Sequence, residues 1–127
     1  MTLKELVEGI SKLKNWGSDP TSFDVPQAGG RRQRVSVGEF KDDAQPMVRF
    51  TTLIGPADRL EATRLRSALE LNFRLPHGCL AVEGGNLVMT DTRVLQTATI
   101  QTAATVVEFL ARQADQYEKL IFKTDVH

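Results

Sequence analysis

His77 and Cys79 stand two residues apart in the stretch LELNFRLPHGCLAVEGGNLVMTDT, residues 69–92, and Cys79 is the only cysteine of the chain. A histidine beside a thiol is the pairing that generates a thiolate nucleophile. On an extended strand residues i and i+2 point to the same side, which would bring imidazole and sulfur together. The neighbours argue otherwise. Pro76, Gly78 and Leu80 supply no cation, and no helix N-terminus stands nearby to lower the thiol pKa. A cysteine at the start of a strand in such surroundings behaves as a small hydrophobe. The residues therefore favour a structural cysteine and no enzyme, with a thiol-dependent enzyme using Cys79 and His77 as an alternative.

Other chemistry has less to stand on. The chain has two histidines, of which His127 is the last residue, and no CxxC, HExxH or Asp/Glu cluster, so no metal and no cofactor are expected. The glycine pairs 29–30 and 84–85 lack the spacing of phosphate loops. Asp42, Asp43 and Asp91 read as turn residues. The basic stretch GGRRQR, residues 29–34, reads as a solvated strand entry whose arginines blunt an edge. Sixteen basic residues balance sixteen acidic ones, and the stretch has no aromatic neighbours for base stacking, so no nucleic acid is expected. No run approaches the roughly 18 apolar residues of a membrane span. A lone cysteine and the absence of a signal-peptide pattern in MTLKELVEGISKLKNWG place the chain in the cytoplasm.

At 127 residues, 41% hydrophobic and 25% charged, the chain suits one domain, residues 1–127, large enough for a core of its own. Thr2 and Glu5 form a capping box, and Leu3, Leu6, Val7, Ile10 and Leu13 follow at helical spacing, which predicts a first helix ending near Asn15 to Gly17. GSDPTSFDVPQAGG, residues 17–30, reads as loop, with 23–25 at most a short edge strand because of Pro26. Residues 31–40 and 46–54 alternate, with Val35 and Val37, then Val48, Phe50 and Ile54, on one face. The polar stretch 41–45 between them predicts an antiparallel hairpin. Pro56 opens a second helix over 57–73, carrying Leu65, Leu69 and Phe73 at i, i+4, i+8, and Pro76 ends it. Gly84-Gly85 suits a two-residue type I′ turn. That turn sets Val82 opposite Leu87, Ala81 opposite Val88, Leu80 opposite Met89 and Cys79 opposite Thr90. Leu80, Val82, Leu87 and Met89 then form a core face. Cys79, Ala81, Val88 and Thr90 form a semi-apolar one, to be covered by the chain itself, a twin subunit or a ligand. A long amphipathic helix capped by Thr97 or Thr99 closes the chain before a polar tail, KTDVH. Trp16 and Phe40 read equally as interface anchors or as core.

The stretch ALELNFRLPHGCLAVEGGNLVM, residues 68–89, resembles the central signature of the type III secretion chaperone-like families, the Tir-chaperone (CesT) type and the related YbjN type. A helix ends in Leu-x-x-N, here Leu69 to Asn72. A strand led by a small residue follows, here Gly78 to Val82, and a tight turn leads to a Leu-Val strand, here Asn86 to Met89. The resemblance implies an α+β fold with an antiparallel sheet in the order helix, strands, helix, hairpin, helix. It also implies a non-catalytic homodimer that holds an extended segment of a client protein or peptide, or, for the YbjN type, a regulatory or scaffold domain with a folded partner. Carried over residue by residue, it places Leu65, Leu69, Asn72, Phe73, Ala81 and Val88 near a dimer seam. The client would lie on apolar patches of the first helix and the sheet, at Leu6, Ile10, Val48 and Phe50.

Overall fold

The computed structural model describes residues 1–122; the tail KTDVH and with it His127 lie outside the described residues. The first helix, α1 (Leu3–Lys14), starts on the expected capping box: Glu5 N–H donates to Thr2 Oγ1 at 3.1 Å, and Thr2 N–H donates to Glu5 Oε1 at 3.0 Å. It stops at Asn15, which takes the left-handed conformation (φ 57°) that asparagine tolerates. Six strands follow in one sheet: β1 (Gly17–Asp19), β2 (Ser22–Pro26), β3 (Arg32–Asp42), β4 (Gln45–Pro56), β5 (Cys79–Glu83) and β6 (Asn86–Val94). Their spatial order is β1-β2-β3-β4-β6-β5, antiparallel throughout. The helix α2 (Ala62–Leu71) connects β4 to β5, and α3 (Ile100–Tyr117) follows β6, capped by Thr99, whose hydroxyl accepts from Thr102 N–H. A π-helical turn over Glu118–Phe122 ends the described chain.

One core joins these layers. Leu6, Val7 and Ile10 of α1 and a long face of α3 cover the sheet face that carries Phe23, Val35, Phe50 and Met89, all buried. Among the described residues, no helix lies over the opposite sheet face. The register of the last hairpin is the expected one, with Gly84 and Gly85 at φ 57° and 80° making the turn. Leu80, Leu87 and Met89 are buried as expected, whereas Val82, close to the turn, is 58% exposed.

Two expectations are corrected. The segment read as loop contains β1 and β2, and Phe23 and Val25 are core residues on an interior strand paired with both β1 and β3. The helix expected over 57–73 is regular only over 62–71, with single 3₁₀ turns on either side at 57–59 and 72–74.

Candidate functional site

His77 and Cys79 do not meet. Gly78 takes φ 64°, so the chain is not extended there and the i, i+2 alternation fails. The His77 ring sits edge-on to Phe109 of α3, with centroids 5.3 Å apart, on the helix side of the sheet. Cys79 pairs with Thr90 and faces the other way. A side chain at Gly78 would strike the Thr90 carbonyl and Leu110, so the turn is held by its neighbours. Among the described residues no hydrogen bond or ion pair reaches the Cys79 thiol. Among the described residues no three His, Cys, Asp or Glu side chains gather to hold a metal, and no helix is long and apolar enough to cross a membrane.

Two arginines of the basic stretch, Arg31 and Arg34, are absorbed by ion pairs. Arg31 donates through Nε and Nη2 to the two carboxylate oxygens of Asp115 on α3, at 3.2 and 2.8 Å. These bonds hold the Asp115 carboxyl below its ordinary pKa, outweighing its partial burial, and raise that of Arg31. Arg34 reaches Asp19 at 3.2 Å. The Asp19 carboxyl also lies below its usual range, because it accepts from the Thr21 backbone N–H and the Ser22 hydroxyl. Asp91, expected in a turn, lies inside β6, 8% exposed and paired with Arg93 at 2.8 Å.

Two apolar surfaces stand out among the described residues. The first is a groove of about 460 Å³ between α1 and β1, walled by Leu3 and Val7 on one side and by Ser18, Asp19 and Pro20 on the other. Lys4 and Glu8 at its rim lie 3.9 Å apart. It runs along the free edge of the sheet. The Val37 N–H bonds to the Thr21 carbonyl. By the alternation of an antiparallel ladder, Ser22 and Asp24 therefore bond to β1 through Asp19 and Gly17. The backbone N–H and C=O of Ser18 consequently point outward along the groove.

The second surface lies between α2 and the β5–β6 hairpin. Leu65 and Leu69 face Ala81 and Val82 across a wholly apolar pit of about 220 Å³. Leu69 is 65% exposed and Phe73, just past the helix, 94%. Asn72 fastens this arrangement. Its amide donates to the Leu80 carbonyl at 3.1 Å, and its oxygen accepts from Leu80 N–H at 2.6 Å. A side chain thus takes the place of a neighbouring strand on the β5 edge.

Several expected site residues lie elsewhere than their proposed roles require. Leu6, Ile10, Val48 and Phe50, expected beneath a client, are all 0% exposed. Each such side chain contributes roughly 1.5–3 kcal/mol by burial. Uncovering all four would cost about 6–12 kcal/mol, as much as a whole domain's stability. They are core, and the accessible apolar residue beside them is the half-buried Leu3, since Val7 of the groove wall is itself 3% exposed. Val88, expected at a seam, is 4% exposed within the chain. Asn72 is committed to Leu80. Leu65, Leu69, Phe73 and Ala81 keep exposed or half-exposed surface. Trp16 is half-buried, edge-on to Phe23, and Phe40 is half-buried under the Arg49 guanidinium. The Ser18 edge was missed because its strand is only three residues long, in a Gly/Ser/Asp/Pro context. The one available signal was the alternation of Phe23 and Val25.

No protein-family model matches the chain, and no curated protein matches it in sequence. Solved structures do match. A chain of the HopA1–SchA chaperone–effector complex superposes with a TM-score of 0.62 at 11% identity, over 91% of this chain and 92% of that one. The Yersinia pestis type III secretion chaperone SycH, solved in complex with a stable fragment of YscM2, gives a TM-score of 0.59 at 11% identity, over 91% of this chain and 98% of the matched one. A chain of the ExsC–ExsE complex gives 0.61 at 10% identity, over 95% and 97%. The chain therefore has the α+β fold of the type III secretion chaperones, as its element order implied.

Proposed function

We propose that this protein is a non-catalytic, homodimeric binding domain that holds an extended segment of a client protein. The observation that carries the reading is the groove between α1 and β1. It sets an apolar wall, Leu3 and Val7, beside an outward-facing backbone N–H and C=O at Ser18. An extended peptide laid there can bond to the edge while placing alternate side chains in the groove. β1 is short and offers a single such residue, so most of the affinity would come from side chains. The neighbours of like fold, two of them described as chaperone–effector or chaperone–fragment complexes, support the same class of partner. The dimer seam would use Leu65, Leu69, Phe73 and Ala81.

The test is affinity capture of the tagged protein from its host's lysate, alongside two groove variants. Ser18→Pro removes the outward N–H and suits an edge strand. Leu3→Asp charges the apolar wall. A stoichiometric partner that both variants lose is the expected result. Capture of the same partner by both variants would move the client site off this groove. Recovery of the protein alone would leave a self-associating domain of YbjN type.

A further inference from the structure

The helix-free face of the sheet carries an arginine held ready for a ligand. Arg49 lies between Gly38 on β3 and Thr92 on β6 in the ladder. Its guanidinium carbon lies 4.3 Å from the Phe40 ring centroid, and its Nε donates to Thr92 Oγ1 at 3.0 Å. Stacking on one side and a hydrogen bond on the other fix the plane of the group before anything binds. The N–H groups of Nη1 and Nη2 have no partner among the described residues, although Arg31, Arg34 and Arg93 have each found a carboxylate. Opposite Arg49 there is no side chain: a Cβ at Gly38 would meet nothing within 4 Å. A shallow groove of about 350 Å³ opens here, with the Ser36 hydroxyl at one end, beside a Thr51 hydroxyl already bonded to Thr90 Oγ1, and Phe40 an apolar wall at the other.

From this arrangement we infer that the Arg49 groove binds a carboxylate side chain of an extended, acidic protein segment. A planar guanidinium with free paired donors matches a carboxylate in two parallel hydrogen bonds. The occupant is a carboxylate-bearing peptide rather than a polyphosphate backbone because of the groove's charge. Arg49 is the one cation among the described residues that line the groove, whereas a nucleic acid gains affinity from several in a row. The site lies on the opposite sheet face from the α1–β1 groove and does not depend on it.

The experiment is an NMR titration of the full-length ¹⁵N-labelled protein at low salt, following the Arg49 Nε–Hε signal and the amides of Ser36, Gly38 and Thr92. The probes are blocked hexaglutamate, blocked hexalysine, inorganic phosphate and single-stranded oligothymidylate. Hexaglutamate is expected to shift these signals saturably, with hexalysine inert. Arg49→Lys keeps the charge but loses the fork and is expected to weaken binding about tenfold. Gly38→Glu places a carboxylate directly across the ladder from Arg49, in open space, and is expected to block the probe by occupying the guanidinium from within. Unchanged binding in Gly38→Glu, or no saturable shift in the native protein, overturns the proposal. A response to oligothymidylate or phosphate as strong as that to hexaglutamate overturns it too, in favour of a general oxyanion site.

Discussion

Asn72 shows what a residue type can and cannot disclose. Its place after Leu69 is part of the sequence resemblance, and the resemblance put it near a dimer seam. In the structure its role is internal. Both ends of its amide bond to the Leu80 backbone, so it caps the β5 edge and ties α2 to the sheet. No pattern in one sequence distinguishes an asparagine facing a partner from one replacing a strand, because the two differ only in what lies eight residues on. Asn72→Ala leaves two half-buried backbone groups without partners and is expected to cost about 1–3 kcal/mol in urea unfolding. Asn72→Asp keeps the acceptor for Leu80 N–H but sets a carboxylate against the Leu80 carbonyl, so it is expected to rescue little of that loss. If both variants unfold like the native protein, the bracket contributes nothing. Asp115 supports a prediction with a sign. Its carboxyl is held below the usual range by Arg31, so the stability it contributes is present above the ordinary carboxylate pKa and is lost as pH falls through its lowered value. Asp115→Asn should therefore melt below the native protein at pH 7, and the gap should close in strong acid. A gap that stays constant from pH 7 to pH 2 would place its origin outside the ion pair.

At the scale of elements, the periodic segments were legible and the short ones were not. The capping box with its apolar stripe, the alternation around Val35 and Phe50, and the Gly84-Gly85 turn each carry a local signal strong enough to survive tertiary packing, and the hairpin register followed from the turn alone. β1 and β2 carried contrary signals. Pro20 lies in the turn between them, and Pro26 lies at the last position of β2, where a missing N–H is tolerated, so two prolines that read as loop merely bound the strand. The α2 boundaries slipped for a similar reason: Pro56 starts a 3₁₀ turn, and the helix begins only after Glu61. The β3–β4 connection was legible as a turn, but not its length. Asp43 and Ala44 form a two-residue turn with φ 48° and 69°, and alanine is a poor occupant of the left-handed region. Ala44→Gly is expected to stabilise the protein by about 0.5–1 kcal/mol, the relief of the Cβ clash less the added freedom of the unfolded chain. A thermal melt that moves down in this variant would show that the turn relaxes in solution.

At the scale of the whole molecule, the question is what covers the surface beside α2. Only Ala68 is buried among the ten residues of that helix, while Leu69, Phe73 and Val82 expose 65%, 94% and 58% of their surface at one end of the sheet. A monomer seldom keeps so much exposed apolar surface in one place without a use for it. The chain's zero net charge supplies no repulsion between copies. A stable twofold contact buries about 800 Å² on each subunit, and the α2 face continuing onto the hairpin is the surface proposed for it. The protein is accordingly expected to sediment at twice its 14.1 kDa mass at micromolar concentration. Replacing Leu69 and Phe73 together by glutamate should weaken the dimer about a thousandfold, on the order of 4 kcal/mol for two central apolar anchors. The fold should survive, because neither side chain belongs to the core cluster. A native protein that sediments as a monomer throughout this range would rule out the twin subunit. A dimer untouched by the double variant would put the seam elsewhere, with the open sheet face next to be tested. A native dimer, with variants that are monomeric and still capture the same partner, would separate assembly from client binding and assign each to its own side of the sheet.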